Sequence, residues 1–412
     1  MDTPKQKILG SKGLVILIAL LSAFVPLSTD LYLPALPAMS AYFGVGVDRT
    51  NLTLSLFFMF YALGTLIWGP LSDHYGRKSI LVTGLSIYIL ASFACVFAGS
   101  IDALIVCRIL QAIGGSASGA VATAIVKDSY SGKQRMSILA IVQSMVLISP
   151  ALAPVLGAFL LKVMSWRGVF MTLTGIGVLA LIGSLLYTET ISERNTGNLL
   201  PSMLRLGHVL KNRGFAMLLV LFSIGSLSSM AFIASSTYIY QDGFHLSGQV
   251  YSLYFSLNAI GLILGPMIFL RLSRRLHSET IIRTCYFVIA ASGLLICVFG
   301  NTQPWIFALC MLPASAAGSC FRSPATNMML EQQKGDSGAV SSLIGCTGLL
   351  MGSLGMTLIS LPWNNMILTL GIMTISTAVL ALVAWPFVIT RVIRLPGLHD
   401  KIPQTTEVID AG

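Results

Sequence analysis

The chain has 412 residues, 55% of them hydrophobic and only 10% charged, with a mean hydropathy of +0.84. A soluble globular domain carries roughly 25% charged residues, so this chain cannot wet its own surface and its solvent must largely be lipid. The net charge of +10 would suit a nucleic-acid or acidic partner, but its distribution along the chain argues for topology instead.

An apolar window of roughly 20 residues crosses about 30 Å of hydrocarbon as a helix. Such windows recur at 13–34, 52–72, 80–99, 102–125, 136–161 and 166–188, and again at 214–239, 250–270, 281–300, 304–327, 338–361 and 366–391. Alternating strand patterns are missing, so the expectation is an all-α membrane protein with about twelve spans. Lys5, Lys7 and Lys12 precede the first window, which is too long for a signal peptide and lacks a small-residue cleavage site. It reads as a retained first span.

With the N-terminus in the cytoplasm, the inner segments collect Lys5, Lys7, Lys12, Arg77, Lys78, Lys127, Lys133, Arg135, Arg194, Arg205, Lys211, Arg213, Arg271, Arg274, Arg275, Arg283, Arg322, Lys334, Arg391, Arg394 and Lys401. The outer segments hold Arg49, Lys162 and Arg167, and Arg108 is left inside a span. That asymmetry places both termini inside. It is a topology signal and implies no nucleic-acid partner.

The one long polar connection, near residues 188–213, divides the chain. The expected organisation is an N-terminal six-helix bundle (1–190), a central cytoplasmic loop (191–213), a C-terminal six-helix bundle (214–394) and a cytoplasmic tail (395–412). The halves echo each other in "ALGTLIWGPLSDHYGRKSIL" (62–81) and "AIGLILGPMIFLRLSRRLHSETII" (259–282), each with small residues, Gly-Pro and then a basic loop. The seven cysteines show no metal-ligand or redox spacing. No metal or cofactor is expected.

Four stretches carry chemistry. The first is "VPLSTDLYLPALP" (25–37), which sets Asp30 in an apolar run. The second is "GPLSDHYGRKS" (69–79), where Gly76 permits a turn and Asp73, Arg77 and Lys78 sit at the inner surface. Asp73 can pair with Arg77 there or cap a helix end. The third, "DALIVCRILQAIGGSASGAVATAIVKD" (102–128), holds Arg108, which costs about 2.5–3.5 kcal/mol on insertion scales unless it is satisfied. Gln111 shares its face at i+3, and Gly114, Gly115 and Gly119 allow a neighbouring helix close. The fourth, "SPALAPVLGAF" (149–159), contains Pro150, Pro154 and Gly157, the residues of a kinked, closely packed helix.

Counted along the two helices, Asp30 and Arg108 each fall roughly 9 Å inside the outer boundary. A carboxylate there has three ways to lower its cost: a proton, a cationic side chain or a cationic ligand. Exchange near neutral pH asks about 4 kcal/mol of a free Asp, which a permanent pair with Arg108 would oppose. Proton and ligand binding at Asp30 are therefore expected to be mutually exclusive, with Arg108 biasing the exchange. No second acid lies two turns earlier, where Ser22 stands.

The loop resembles the G-x-L-x-D-x-x-G-R-[KR] signature of the major facilitator superfamily, matched at Gly69, Leu71, Asp73, Gly76, Arg77 and Lys78. The Arg108 stretch resembles that superfamily's R-x-x-Q-G-x-G segment, with Ala112 and Ile113 departing from it. "SPALAPVLGAF" resembles its Pro/Gly-rich antiporter helix. "STDLYLPALP", "SPALAPVLGAF" and "SWRGVF" in that order are similar to the Bcr/CflA group of drug–proton antiporters. The resemblance implies two pseudo-symmetric six-helix bundles, alternating access, a gating role for the loop and proton coupling at the Arg108 segment.

The expected activity is proton-coupled multidrug efflux from a bacterial inner membrane, by a monomer that takes a drug-like small molecule and protons as its partners. Phe58, Tyr61, Gln143, Met145, Phe232, Tyr238, Tyr254 and Asn258 are candidate cavity-lining residues beside Asp30, offering adaptable apolar contact and scattered hydrogen bonds. A facilitator for one metabolite or nutrient is the alternative, and a membrane ligand sensor a lesser one. No G-x-x-x-x-G-K-[ST], H-E-x-x-H or G-x-S-x-G motif occurs, so neither an ATP-driven pump nor an enzyme is expected.

Overall fold

Lipid offers no hydrogen bonds, so a crossing segment must satisfy its own backbone, and a helix does so. The computed structural model describes Gln6 and residues 8–191, 206–333 and 337–393, and every regular element among them is helical. Most of the central connection, the tail 395–412 and the charges at Lys5, Lys7, Arg194, Arg205, Lys334, Arg394 and Lys401 lie outside the described residues. The helices are α1 (Gly10–Asp30), α2 (Leu36–Phe43), α3 (Val47–Tyr75), α4 (Arg77–Val96), α5 (Ile101–Ser129), α6 (Gly132–Val163) and α7 (Trp166–Leu186). There follow α8 (Arg213–Ser223), α9 (Gly225–Tyr238), α10 (Gly248–Leu272), α11 (Ser278–Phe299), α12 (Pro304–Glu331), α13 (Ser337–Ile359) and α14 (Met366–Ile393). Eleven spans among the described residues are long and apolar enough to cross a bilayer, and the bent pair Gly10–Phe24 and Pro26–Phe43 brings the number to twelve.

The first span departs from the single helix expected over 13–34. It bends by 43° at Pro26 and stops at Asp30. A 3₁₀ turn (Leu33–Ala35) and α2 complete the crossing, and Gly44 ends it with φ 62°. Pro26, Pro34 and Pro37 each lack the N–H that a continuing helix needs. Arg322, expected with the basic loops, lies inside α12, nine residues before its end at Glu331.

Two faces can be distinguished. The proximal face carries the loop at Gly76 and the ends of α5, α7, α10 and α12; the distal face carries Gly44, the start of α5 and the start of α10. Near the proximal face each half has its own core. Leu21, Leu81, Leu85, Val121 and Ile125 pack in the first half, and Phe215, Leu218, Ile282 and Ala381 in the second. Near the distal face one core is shared by both halves, with Leu31, Phe58, Trp166, Phe232, Tyr251, Phe307 and Met356 in a single cluster.

Hydrogen bonds between the halves follow the same division. Asn51 Nδ2 donates to Ser360 Oγ (2.7 Å) and to the Ala234 carbonyl (3.2 Å), and Ser353 Oγ donates to the Ser55 carbonyl (2.7 Å). Along α6 the carbonyls of Ala151, Pro154 and Ala158 accept from Ser256, Ser252 and Gln249 of α10. Small side chains on both helices let these backbones meet. The α3–α13 and α6–α10 contacts join the halves distally, while the apolar cores of the two halves stay separate proximally.

Gly157 is the tightest point of the first half, because a Cβ there would overlap the Leu31 carbonyl just past Asp30. Gly157→Ala is expected to cost about 1–3 kcal/mol by overpacking and to lower the melting temperature of the purified protein. Gly175→Ala, where no heavy atom lies within 4 Å, is the control that should melt as the native protein does.

Candidate functional site

The polar centre of the first half is built around Arg108, which is fully buried. Its Nε donates to the Thr53 carbonyl of α3 (3.2 Å), and Nη1 donates to the Ser28 carbonyl of α1 (3.0 Å) and to Gln111 Oε1. Its Cζ sits 4.2 Å from the Phe57 ring centroid, 4.5 Å from Tyr32 and 5.8 Å from Phe170. Carbonyl dipoles and ring faces together stabilise a cation that has no carboxylate beside it. Nη2 has no hydrogen-bond partner.

Gln111 passes the network on. Its Nε2 donates to Ser92 Oγ (2.7 Å), Ser92 Oγ donates to the Tyr88 carbonyl (2.6 Å), and the Tyr88 hydroxyl meets Ser28 Oγ (2.7 Å). The network thus closes from α5 through α4 back to α1. It depends on close helix approach, since a Cβ at Gly114 would run into the α4 backbone at Gly84 and Tyr88. Ser28, Thr53, Tyr88, Ser92 and the three rings were not singled out by the sequence reading; a lone Ser or aromatic in an apolar run gives no signal of its own.

Asp30 lies at the depth of Arg108 yet forms no ion pair with it. Arg108 touches the Ser28 carbonyl in α1 and the Tyr32 ring in the turn beyond it. From Ser28 to Asp30 is about 200° of helix rotation, which carries the carboxylate away from Arg108. It is 5% exposed and accepts from Thr29 Oγ1 (3.1 Å). Gly157 of α6 packs against the next peptide, and the 3₁₀ turn that follows contacts α6 and α10.

At the proximal face Gly76 separates α3 from α4 with φ 96° and ψ 151°, a conformation suited to glycine. Arg77 is buried there. Its Nη1 pairs with Asp73 (2.6 Å) and donates to Ser72 Oγ (2.6 Å), and its Nε pairs with Asp128 at the end of α5 (2.9 Å). The Lys78 N–H donates to Glu189 (3.1 Å), and Lys78 Nζ donates to the Leu185 carbonyl (2.6 Å). The expected Asp73–Arg77 pair is present. Asp128 and Glu189, which tie it to α5 and α7, were not foreseen.

The candidate lining residues divide. Phe58, Tyr61 and Phe232 are buried, with Phe232 stacked on Phe255 at 5.8 Å. Tyr238 belongs to the distal contact, its hydroxyl 3.4 Å from Ser40 Oγ, and Tyr254 stacks on Tyr240 at 5.2 Å. Asn258 Oδ1 accepts from Ser315 Oγ (3.3 Å), and its Nδ2 is buried without a partner. Gln143 is exposed on the Pro150 face of α6. Met145 is a correction: it shares the exposed apolar stripe of Leu152 and Phe159, each seven residues on, which is the outer face of α6. No group of His, Cys, Asp and Glu suited to a metal occurs among the described residues, and the seven cysteines are free thiols.

The family model of the Major Facilitator Superfamily matches residues 18–356. The chain belongs to this superfamily and is a multi-pass membrane transporter of small molecules. Among curated proteins it is 26% identical to an uncharacterized MFS-type transporter, YdgK, of Bacillus subtilis, covering 90% of this chain and 94% of that one. It is 28% identical to a chloramphenicol resistance protein of Pseudomonas aeruginosa, covering 94% and 93%. It is 23% identical to a bicyclomycin resistance protein homolog of Haemophilus influenzae, covering 93% and 98%. Among solved structures, a peptide transporter POT in complex with sulfate aligns with a TM-score of 0.73 at 14% identity, covering 94% of this chain and 97% of that one. The xylose transporter XylE of E. coli, in a partially occluded inward open conformation, aligns at 0.68 and 12% identity, covering 91% and 97%. Both establish the fold.

Arg108→Leu removes the donor to two buried carbonyls and to Gln111. Each orphaned group costs about 1–3 kcal/mol, so the variant is expected to melt several degrees lower, whereas Gln111→Glu, which supplies a carboxylate at the same place, should keep the helices together. Thermal melts in detergent check both.

Proposed function

We propose that this transporter exports drug-like amphipathic compounds in exchange for protons by alternating access, with Asp30 as the exchange site. The observation that carries the reading is a buried carboxylate with no cation beside it. Of the three ways to lower its cost, a cationic side chain is taken away because Arg108 is held on the opposite face of α1. A proton or a cationic group on the ligand remains. Each displaces the other, and that competition is the coupling of an antiporter. The resistance proteins among the relatives support a drug-like cargo.

Asp30 stands at the turn between α1 and α2, against α6 and α10, the helices that meet in the distal contact. A change in its charge is therefore made where the halves separate. The Arg108 network anchors the inner side of the same helix, so that side stays fixed while the carboxyl side changes partners. We read the bundles 1–190 and 214–394 as the moving bodies. The Asp73–Arg77–Asp128 cluster acts as the proximal gate, held within the first half while that face is open.

The basic residues support the orientation. Lys12, Arg77, Lys78, Lys127, Lys133, Arg135, Lys211, Arg213, Arg274 and Arg275 lie toward the proximal face, against Arg49, Lys162 and Arg167 toward the distal one. By the positive-inside rule the proximal face is cytoplasmic, in a bacterial inner membrane, with both termini inside.

Asp30→Asn keeps the shape of the side chain and removes its titration. In everted vesicles loaded with a proton gradient, cationic ethidium is expected to release protons through the native protein, and the variant should lose at least about tenfold of that coupled flux. Undiminished proton release by the variant sinks the reading. A second test addresses the distal contact. Asn51→Cys with Ser360→Cys, in a background lacking the native cysteines, should cross-link under mild oxidation, abolish export and regain it on reduction.

A further inference from the structure

Arg322 of α12 is a second cation inside the membrane, and the Arg108 network does not touch it. It stands nine residues from the end of its helix, about 13 Å of rise, near the level of the last turn of α10, since Gly265 packs at Ser319 and Cys320. Unlike Arg108 it is exposed, and it makes no ion pair or side-chain hydrogen bond among the described residues. An unpaired charge within a span is expensive and marks a polar pathway.

The packing around α12 says which way Arg322 points. On one side α10 approaches at Ser315, Ala316, Ser319 and Cys320 through Gly261 and Gly265. On the opposite side the Phe321 ring packs on Tyr286 of α11 (5.0 Å) and Phe222 of α8 (6.3 Å), and Phe307 on Phe232 of α9 (6.4 Å). Trp305 and Leu309, 52% and 50% exposed, form the lipid-facing stripe between α10 and α11. Arg322 lies about 100° and 140° of rotation from them. It falls in the remaining sector, between α9 and α10, which faces the first half of the molecule. Gly318 points into the same sector and would find no heavy atom within 4 Å of an added Cβ.

Ser315, Ser319 and Arg322 span only about 60° of that face. Ser315 Oγ already donates to Asn258 Oδ1, which leaves the buried Asn258 Nδ2, 3% exposed as a residue, as an unpartnered donor above the strip. The strip therefore offers a guanidinium at its proximal end and an unused amide N–H at its inner end. Among the residues of α12 and α10 that form it, no carboxylate is present.

We infer that Arg322 and Asn258 form an acceptor-recognising subsite on the C-terminal half, the serines between them already donating within the strip. It takes the carboxylate or other anionic group of an amphipathic ligand. The inference rests on the transport reading for what enters the cavity, but binding alone tests it. Guanidinium–carboxylate pairing is bidentate and directional, so ligand charge is the variable to change.

The experiment measures fluorescence anisotropy of dansylglycine, of its neutral methyl ester and of cationic ethidium, against the full chain in nanodiscs. The native protein is expected to bind dansylglycine saturably and at least about tenfold tighter than the ester. Arg322→Gln should abolish that preference and leave ethidium binding unchanged or stronger, while Arg322→Lys should keep most of it. The assay reads equilibrium binding and no proton flux, so failure of proton coupling and failure of this subsite are read separately. Equal affinity of the native protein for acid and ester overturns the inference. So does an Arg322→Gln variant that still prefers the acid, or a parallel loss of both dyes.

Discussion

A guanidinium held by carbonyl oxygens, an amide and ring faces, with no carboxylate beside it, is the interaction on which the first half depends. Arg108 reaches the backbone of α1 and α3 from α5 and, through Gln111 and Ser92, engages α4. Four helices are thereby held in register around a charge that lipid would reject. Because the cation draws on dipoles and not on a counter-ion, the nearby carboxylate is left free. In a low-dielectric interior an Asp–Arg pair three or four ångströms apart would be hard to separate, and a proton could not displace it. The cost of a charge without a partner is accepted on one side of α1, and the other side gains a group able to exchange.

The two ends of the molecule are held by different chemistry. Distally the halves meet through small residues, one shared apolar core and hydrogen bonds from Asn51, Ser252 and Ser353 to groups of the other half. Such contacts are individually weak, about 0.5–1.5 kcal/mol net in water. At the proximal face Arg77 is locked between Asp73 and Asp128 within one half. That cluster stabilises the local corner of α3, α4 and α5 while the halves stand apart. A carrier needs both kinds of contact, one that breaks in each cycle and one that keeps each bundle rigid.

The halves are alike in helix order and unlike in charge. The first places its buried arginine near the distal face, enclosed and satisfied; the second places Arg322 nearer the proximal face, exposed and unpaired. Repeats of this kind keep a common frame while each cavity wall diverges.

Much of the frame was legible in the chain itself. Apolar windows of membrane-crossing length, the lopsided basic residues and the Gly69–Lys78 loop each follow from local chemistry, because the bilayer acts on every segment separately. The equal depth of Asp30 and Arg108 also followed from counting residues, since helical rise is uniform. Whether they met did not, because rotation about the axis is decided by neighbouring helices. Here Ser28 and Tyr32 turn toward Arg108 and carry Asp30 to the other face. The break at Pro26, the pairing of Arg77 with Asp128, the outward turn of Met145 and the inward turn of Arg322 were decided in the same way. Sequence determined which residues lie in the membrane and how deep; only the packing of helices decided which way each charge faces, because azimuth is a property of contacts between segments.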